Sequence, residues 1–194
     1  MGLTIHYQGR FRKRASLPEF IAEVSDIAET LNWPSHVFET DFLHDQVEQQ
    51  HDGKLYGLLI TPPECEPLHL TFLSNRRMSS VLTLSVWGKP GAEDVRGLYR
   101  SFTKTQFGGP DVHIIIVNLM RYLSKKYFAG FKLYDESRYW ETGDEPFMRE
   151  QFAFLDRAIR GVAEAIEQKM MRPGESWEEY ILRMASGVKR DLDR

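Results

Sequence analysis

Cysteine is the scarcest chemistry in this sequence. A single thiol, Cys65, stands among 194 residues. No disulfide can form within the chain, which suits a reducing compartment. Long apolar runs are missing too, and no stretch approaches the roughly 20 residues that a membrane-spanning helix needs. The opening MGLTIHYQGRF alternates and lacks the continuous apolar segment of a signal peptide. Nor is there an excess of charge of one sign. Twenty-five basic and 28 acidic residues give a net charge of -3, so nothing global draws the protein to nucleic acid or anionic lipid. The phosphate loop G-x-x-x-x-G-K-[ST], the redox pair C-x-x-C and the nucleophile elbow G-x-S-x-G are all absent. These absences predict a soluble cytoplasmic protein with no cofactor, no metal, no nucleic-acid partner and no membrane partner.

What is present builds a core. Hydrophobic residues make up 42% and charged residues 27%, ordinary values for a globular domain. Leu3, Ile5, Tyr7 and Phe11 alternate with polar neighbours, as a half-buried strand does. Ser16, Pro18 and Glu19 then have the pattern of a helix start, and Phe20, Val24, Ile27, Ala28 and Leu31 fall on one helical face before Pro34. From Ser35 to Trp87 the chain reads as about four antiparallel strands by alternation. Asp52-Gly53 and Asn75-Arg76-Arg77-Met78 read as turns between them, and three prolines (Pro62, Pro63, Pro67) interrupt the ladder. A loop is expected at 88–102. A long helix follows from Pro110 to about Tyr127, apolar around much of its circumference, with Val112, Ile115, Leu119 and Leu123 expected against the sheet. "FKLYDES" has the pattern of a short strand. Asp144 caps a long amphipathic helix carrying Met148, Phe152, Leu155, Ile159, Val162 and Ile166. After Arg172-Pro173-Gly174, Ser176 and Glu179 form a second capping box. Trp177, Tyr180, Ile181, Met184, Val188 and Leu192 give the last helix its stripe.

The order β-α-ββββ-α followed by two helices predicts an α+β fold. It comprises a curved antiparallel sheet packed on a central helix, in the order of the TATA-binding-protein-like topology. Residues 1–172 are expected to form a single domain. Residues 173–194 are expected to form an amphipathic helix packed on that domain or on a second subunit in a homodimer.

The chemistry concentrates in two strings. "TKTQFGGPDVH" places polar residues and His113 at the mouth of the long helix. Pro110 removes a backbone donor and Asp111 repels anions, so this helix start is not a phosphate cradle. A lone histidine on an apolar face is more often a hydrogen-bonded core residue than a ligand. The functional alternative joins it to "DESRYWETGDE", where Asp135 or Glu136 can supply a carboxylate for acid–base work or for a divalent ion. Acids in a turn are more often simply solvated. The candidate pocket comprises His113, Asp135, Glu136, Trp140, Thr105 and Gln106. The basic run Arg10, Arg12, Lys13, Arg14 reads as a solvated loop. His44 and His51, seven apart, fall on opposite faces of a strand and do not share a metal. Cys65 between Glu64 and Glu66 is a poor nucleophile.

The two strings resemble segments of an uncharacterised family of bacterial proteins. The resemblance implies a bacterial source and implies that the strings belong together, and it carries no activity. The expected function is that of a non-catalytic binding or protein-interaction module, its partner a protein or a small molecule. The alternative is a hydrolase, metal-dependent or acid–base, using His113 with the acidic loop.

Overall fold

The computed structural model describes residues 2–42, 51–88 and 96–182, with the backbone alone at 164–169. Residues 1–152 form one compact unit and residues 153–194 a second.

The first unit is mixed α/β with two three-stranded antiparallel sheets. Strand β1 (Thr4–Phe11) leads into helix α1 (Leu17–Thr30). The Ser16 side chain accepts the Glu19 N–H, so the predicted cap forms. Strands β2 (Ser35–Val37), β3 (Tyr56–Ile60) and β4 (Leu68–Phe72) make one sheet in that order. Helix α2 (Val81–Trp87) follows, then a 3₁₀ turn Gly97–Tyr99 and strand β5 (Ser101–Lys104). A second 3₁₀ turn Gln106–Gly108 leads directly into helix α3 (Gly109–Lys126). Strand β6 (Phe128–Asp135) and the short helix α4 (Tyr139–Thr142) come next. The other sheet runs β5-β1-β6. Two bridges, Arg10 to Arg77 and Phe72 to Met78, link the sheets.

Three expectations need correction. "SSVLTLSVW" is a helix, not a strand. Ser80 and Thr83 close a reciprocal capping box, and Leu84 packs on Leu55, Leu73, Leu98 and Tyr99. A local cap and one apolar anchor override the alternation of the β-branched residues. Ser101 and Phe102, the end of the expected loop, open strand β5, because this segment supplies the partner for Thr4 to Tyr7. The element order is therefore β-α-βββ-α-β-α-β rather than β-α-ββββ-α. The third correction concerns α3. It buries His113, Ile116, Val117, Leu119, Met120 and Leu123, whereas Ile115 is 37% exposed and Val112 is half-buried. Leu119 and Leu123 are buried as expected, while in the first half of the helix His113 and Ile116 take the buried places expected for Val112 and Ile115. The expected hairpin at Asp52-Gly53 depends on a preceding strand that lies outside the described residues; residues 51–55 themselves belong to no strand.

Rings from several elements fill the core of this unit. Phe11 and Phe20 meet edge to face at 5.4 Å, and each also meets Phe72. Tyr127 stacks on Phe11. Such pairs add roughly 1 kcal/mol each beyond area burial. The phenol of Tyr7 crosses between sheets, accepting the His69 N–H at 2.9 Å and donating to the His69 carbonyl at 3.1 Å.

Helix α5 (Glu145–Lys169) starts where Asp144 accepts the Phe147 N–H at 3.0 Å, as predicted. Met148 and Phe152 are buried; Ile159 and Val162 are exposed. In the second unit Ser176 and Glu179 form the expected reciprocal cap, and the chain is helical from 177 to 182. Trp177, 69% exposed, meets the Tyr180 ring edge-on. Met184, Val188, Leu192, His44 and the Ile166 side chain lie outside the described residues.

Candidate functional site

The two strings singled out in the sequence meet. His113 sits near the start of α3, Thr105 just after β5, Asp135 at the end of β6, and Ser137 in the turn before α4. All four side chains are buried. Thr105 Oγ1 lies 2.8 Å from His113 Nδ1. His113 Nε2 lies 3.1 Å from Asp135 Oδ2 and 2.9 Å from Ser137 Oγ. Ser137 donates its hydroxyl to Asp135 Oδ2 and its N–H to Oδ1, both at 2.8 Å. The Trp140 N–H adds a third donor at 3.0 Å.

Elementary accounting places one proton. Nε2 faces a carboxylate oxygen, so it carries N–H and donates to Asp135; a lone pair there would face negative charge at 3.1 Å. Nδ1 is then satisfied by the Thr105 hydroxyl, while the Thr105 N–H binds the Leu3 carbonyl at 2.9 Å. Burial alone would raise the Asp135 carboxyl, but the bonds from His113 and Ser137 outweigh it and hold the group below its ordinary value. The four side chains close a network that satisfies itself and pins the ends of β5, α3 and β6 together.

The remaining predicted site residues divide. Glu136 does not join His113. It accepts the Thr4 N–H at 2.9 Å and approaches His6 Nε2 at 3.4 Å, because alternation along β6 points it away from Asp135. Trp140 contributes its backbone, and its ring packs on Phe131. Arg121 holds the Tyr139 and Trp140 carbonyls from α3 at 2.9 and 3.0 Å. Gln106 is buried with Oε1 unpartnered, and it makes no described bond to His113. Among the described residues, no three His, Cys, Asp or Glu side chains gather as a metal ion needs. Burial, more than the neighbouring Glu64 and Glu66, pushes the Cys65 thiol up to about 11, so it is protonated at neutral pH.

A different place in the first unit is open. A cleft of about 560 Å³ lies on the face of the β5-β1-β6 sheet that looks away from the core. Register puts Phe102, His6 and Tyr134 directly opposite one another across the three strands. Their rings follow at 6.3 and 6.1 Å between centroids. Phe102 is 37% and Tyr134 61% exposed. Trp87 and Gly97 form a wall. A Cβ on Gly97 would sit 2.8 Å from the indole, so only glycine lets the ring lie this close. Lys132 pairs with Gln8, two residues along from the aromatic row on the same face. Arg100 precedes Ser101, the partner of Tyr7, and so stands level with Gln8 on the other side. No acidic residue lines the cleft among the described residues.

The sequence reading missed this cleft. Its one legible signal was the alternation of β1, which already put His6 and Gln8 on the outer face. The partners came from β5, read as loop, and from β6, whose register cannot be deduced from spacing. Searches of protein-family models, curated proteins and solved structures found no match for the chain.

Proposed function

We propose that this protein is a non-catalytic binding module whose ligand occupies the cleft on the outer face of the β5-β1-β6 sheet. One observation carries the reading: three rings, Phe102, His6 and Tyr134, stand in a single row on the solvent side of the sheet. Alternation normally puts polar side chains on that side, and rings gathered there cost solubility unless something covers them. The cleft has the size of a small-molecule site, and it combines apolar walls with a few polar groups. The His113 network is sealed and internally satisfied, which supports its reading as a core fastening rather than as machinery. Amide chemical-shift mapping with a fragment library tests the proposal. Fragment shifts are expected to cluster at Gln8, Gly97, Phe102 and Tyr134. A full library that moves none of them would remove the cleft as the binding site.

The hydrolase reading keeps one specific observation in its favour. Thr105, His113 and Asp135 stand in the order hydroxyl, imidazole, carboxylate, at 2.8 and 3.1 Å. A fluorophosphonate probe separates the two readings: covalent labelling of Thr105 or Ser137 in folded protein supports a hydrolase, and none supports the fastening.

A further inference from the structure

Resting on the cleft as the binding site, we infer that its ligand is a free nucleotide. The base stacks on the Phe102–His6–Tyr134 row, and the phosphate meets Arg100 and Lys132. Three independent features lead there. The row offers a run of exposed aromatic faces, tilted 44° and 32° from one ring to the next, on any one of which a base can stack, and such stacking is tolerant of base identity. Arg100 and Lys132 are both exposed, and neither makes an ion pair with a described residue. Two cations with no ion-pair partner among the described residues, beside a cleft with no acidic residue in its described lining, form a positive spot that an anion neutralises. The third feature is their spacing. The cation row is two residues along the strands from the aromatic row, about 7 Å at ordinary strand rise, so one ligand with a ring at one end and an anion at the other reaches both.

The arrangement also has a direction. Glu136, bonded to the Thr4 N–H and close to His6, lies beyond the aromatic row on the side opposite the cations. A ligand lying the other way would bring its phosphate towards this carboxylate. In the inferred orientation the base edge points at it instead, and exocyclic amino groups are donors to a carboxylate. Gln8, between Arg100 and Lys132, adds a donor and an acceptor at the phosphate and sugar end.

Charge decides between a free nucleotide and a strand. Proteins that track single strands run a basic groove along many phosphates. Among the described residues two cations, Arg100 and Lys132, line the cleft, enough for one phosphate group, and the chain as a whole carries a net charge of -3. Trp87 and Gly97 also wall the cleft, so the platform does not continue as an open track.

Titration of the full chain with AMP, UMP, adenosine and the octamer r(U)8 tests this, read by the backbone amide shifts of the cleft residues. AMP is expected to shift the cleft residues and to bind at least about 5-fold tighter than adenosine, with the difference shrinking in high salt. The double variant Arg100→Ala/Lys132→Ala is expected to bring AMP down to the affinity of adenosine and to leave adenosine unchanged. Tyr134→Ala is expected to weaken both by about 5-fold or more, the range of one lost stacking contact. These substitutions are on the surface, and unaltered circular dichroism shows that each variant is folded. AMP binding no tighter than adenosine, or AMP binding that survives the double variant, overturns the phosphate assignment. Fragments that map to the cleft while no nucleotide does overturn the nucleotide inference and leave the binding module standing. A cleft that nothing moves overturns both. An octamer more than about 100-fold tighter than UMP overturns the choice of a free nucleotide over a strand.

Discussion

Nε2 of His113 lies 3.1 Å from Oδ2 of Asp135, and neither side chain reaches solvent. Such a pair is expensive to desolvate and is kept only where the remaining donors and acceptors are also satisfied. Here they are. Asp135 takes bonds from His113, from Ser137 twice and from the Trp140 N–H. The pair therefore fixes three chain ends at once, although it sits where a catalytic histidine was a fair expectation.

Removing the carboxylate strands its donors. Asp135→Ala is expected to cost roughly 3–5 kcal/mol, the range for breaking a buried pair from one side. Urea denaturation at neutral pH measures it. Because folding lowers the Asp135 pKa, its contribution is present above the ordinary 3.8 and is lost as pH falls through the folded value. A cost under about 1 kcal/mol would show that the network is not a fastening.

Gly57 gives a sharper test of the other sheet. Its φ is +106°, and a Cβ would lie 2.5 Å from the Leu70 carbonyl oxygen across the β3–β4 ladder. Backbone cannot yield as a flexible side chain can, and the left-handed region is strained for alanine. Gly57→Ala is expected to cost about 2–3 kcal/mol, seen as a lower urea midpoint with an unchanged slope.

Local rules were legible in the sequence wherever a residue acts on its immediate neighbours. Ser16, Asp144 and Ser176 cap as their spacing requires, and β1 alternates as written. Thr105, His113 and Asp135 also fall in one candidate pocket, on the chemistry of a histidine with a nearby carboxylate rather than on any strand pairing, and their side chains meet. Three things were not legible. The alternation of "SSVLTLSVW" looks like a strand, and only the Ser80–Thr83 cap and the Leu84 anchor make it a helix. β5 is four residues long and has no pattern of its own; β1 defines it. The Phe102–His6–Tyr134 row depends on two registers between segments far apart in sequence, which no local rule fixes.

The corrected face of α3 separates neighbouring isoleucines. Ile116 is fully buried and Ile115 is 37% exposed. Ile116→Asp buries an unpaired charge and is expected to abolish folding. Ile115→Asp leaves its carboxylate access to water and is expected to cost about 1 kcal/mol or less. Circular dichroism and thermal melts of the two variants side by side decide it. An Ile115→Asp protein as unfolded as Ile116→Asp would restore the all-round burial read from the sequence.

Glu23 on α1 reaches across to α3 and the residue that ends it. Lys126 donates to Oε2 at 2.8 Å, and the phenols of Tyr122 and Tyr127 donate to the same carboxylate. Partial burial would raise this carboxyl, but the three bonds win and pull it from 4.5 down to about 2. An acid depressed by folding stabilises the folded state above its unfolded value, so the contribution is complete above pH 4.5 and fades as pH falls towards 2. Glu23→Gln keeps the shape and removes the charge. The site is partly solvated, so the expected loss at neutral pH is modest, on the order of 1 kcal/mol. The pH dependence is the stronger test. Wild type should lose stability more steeply than the variant through the acid window, and the two urea midpoints should converge near its lower end. Midpoints that keep the same separation from neutral pH down to that end would mean that the bonds to Glu23 do not depend on its charge, and that the clasp between α1 and α3 is not built on the carboxylate.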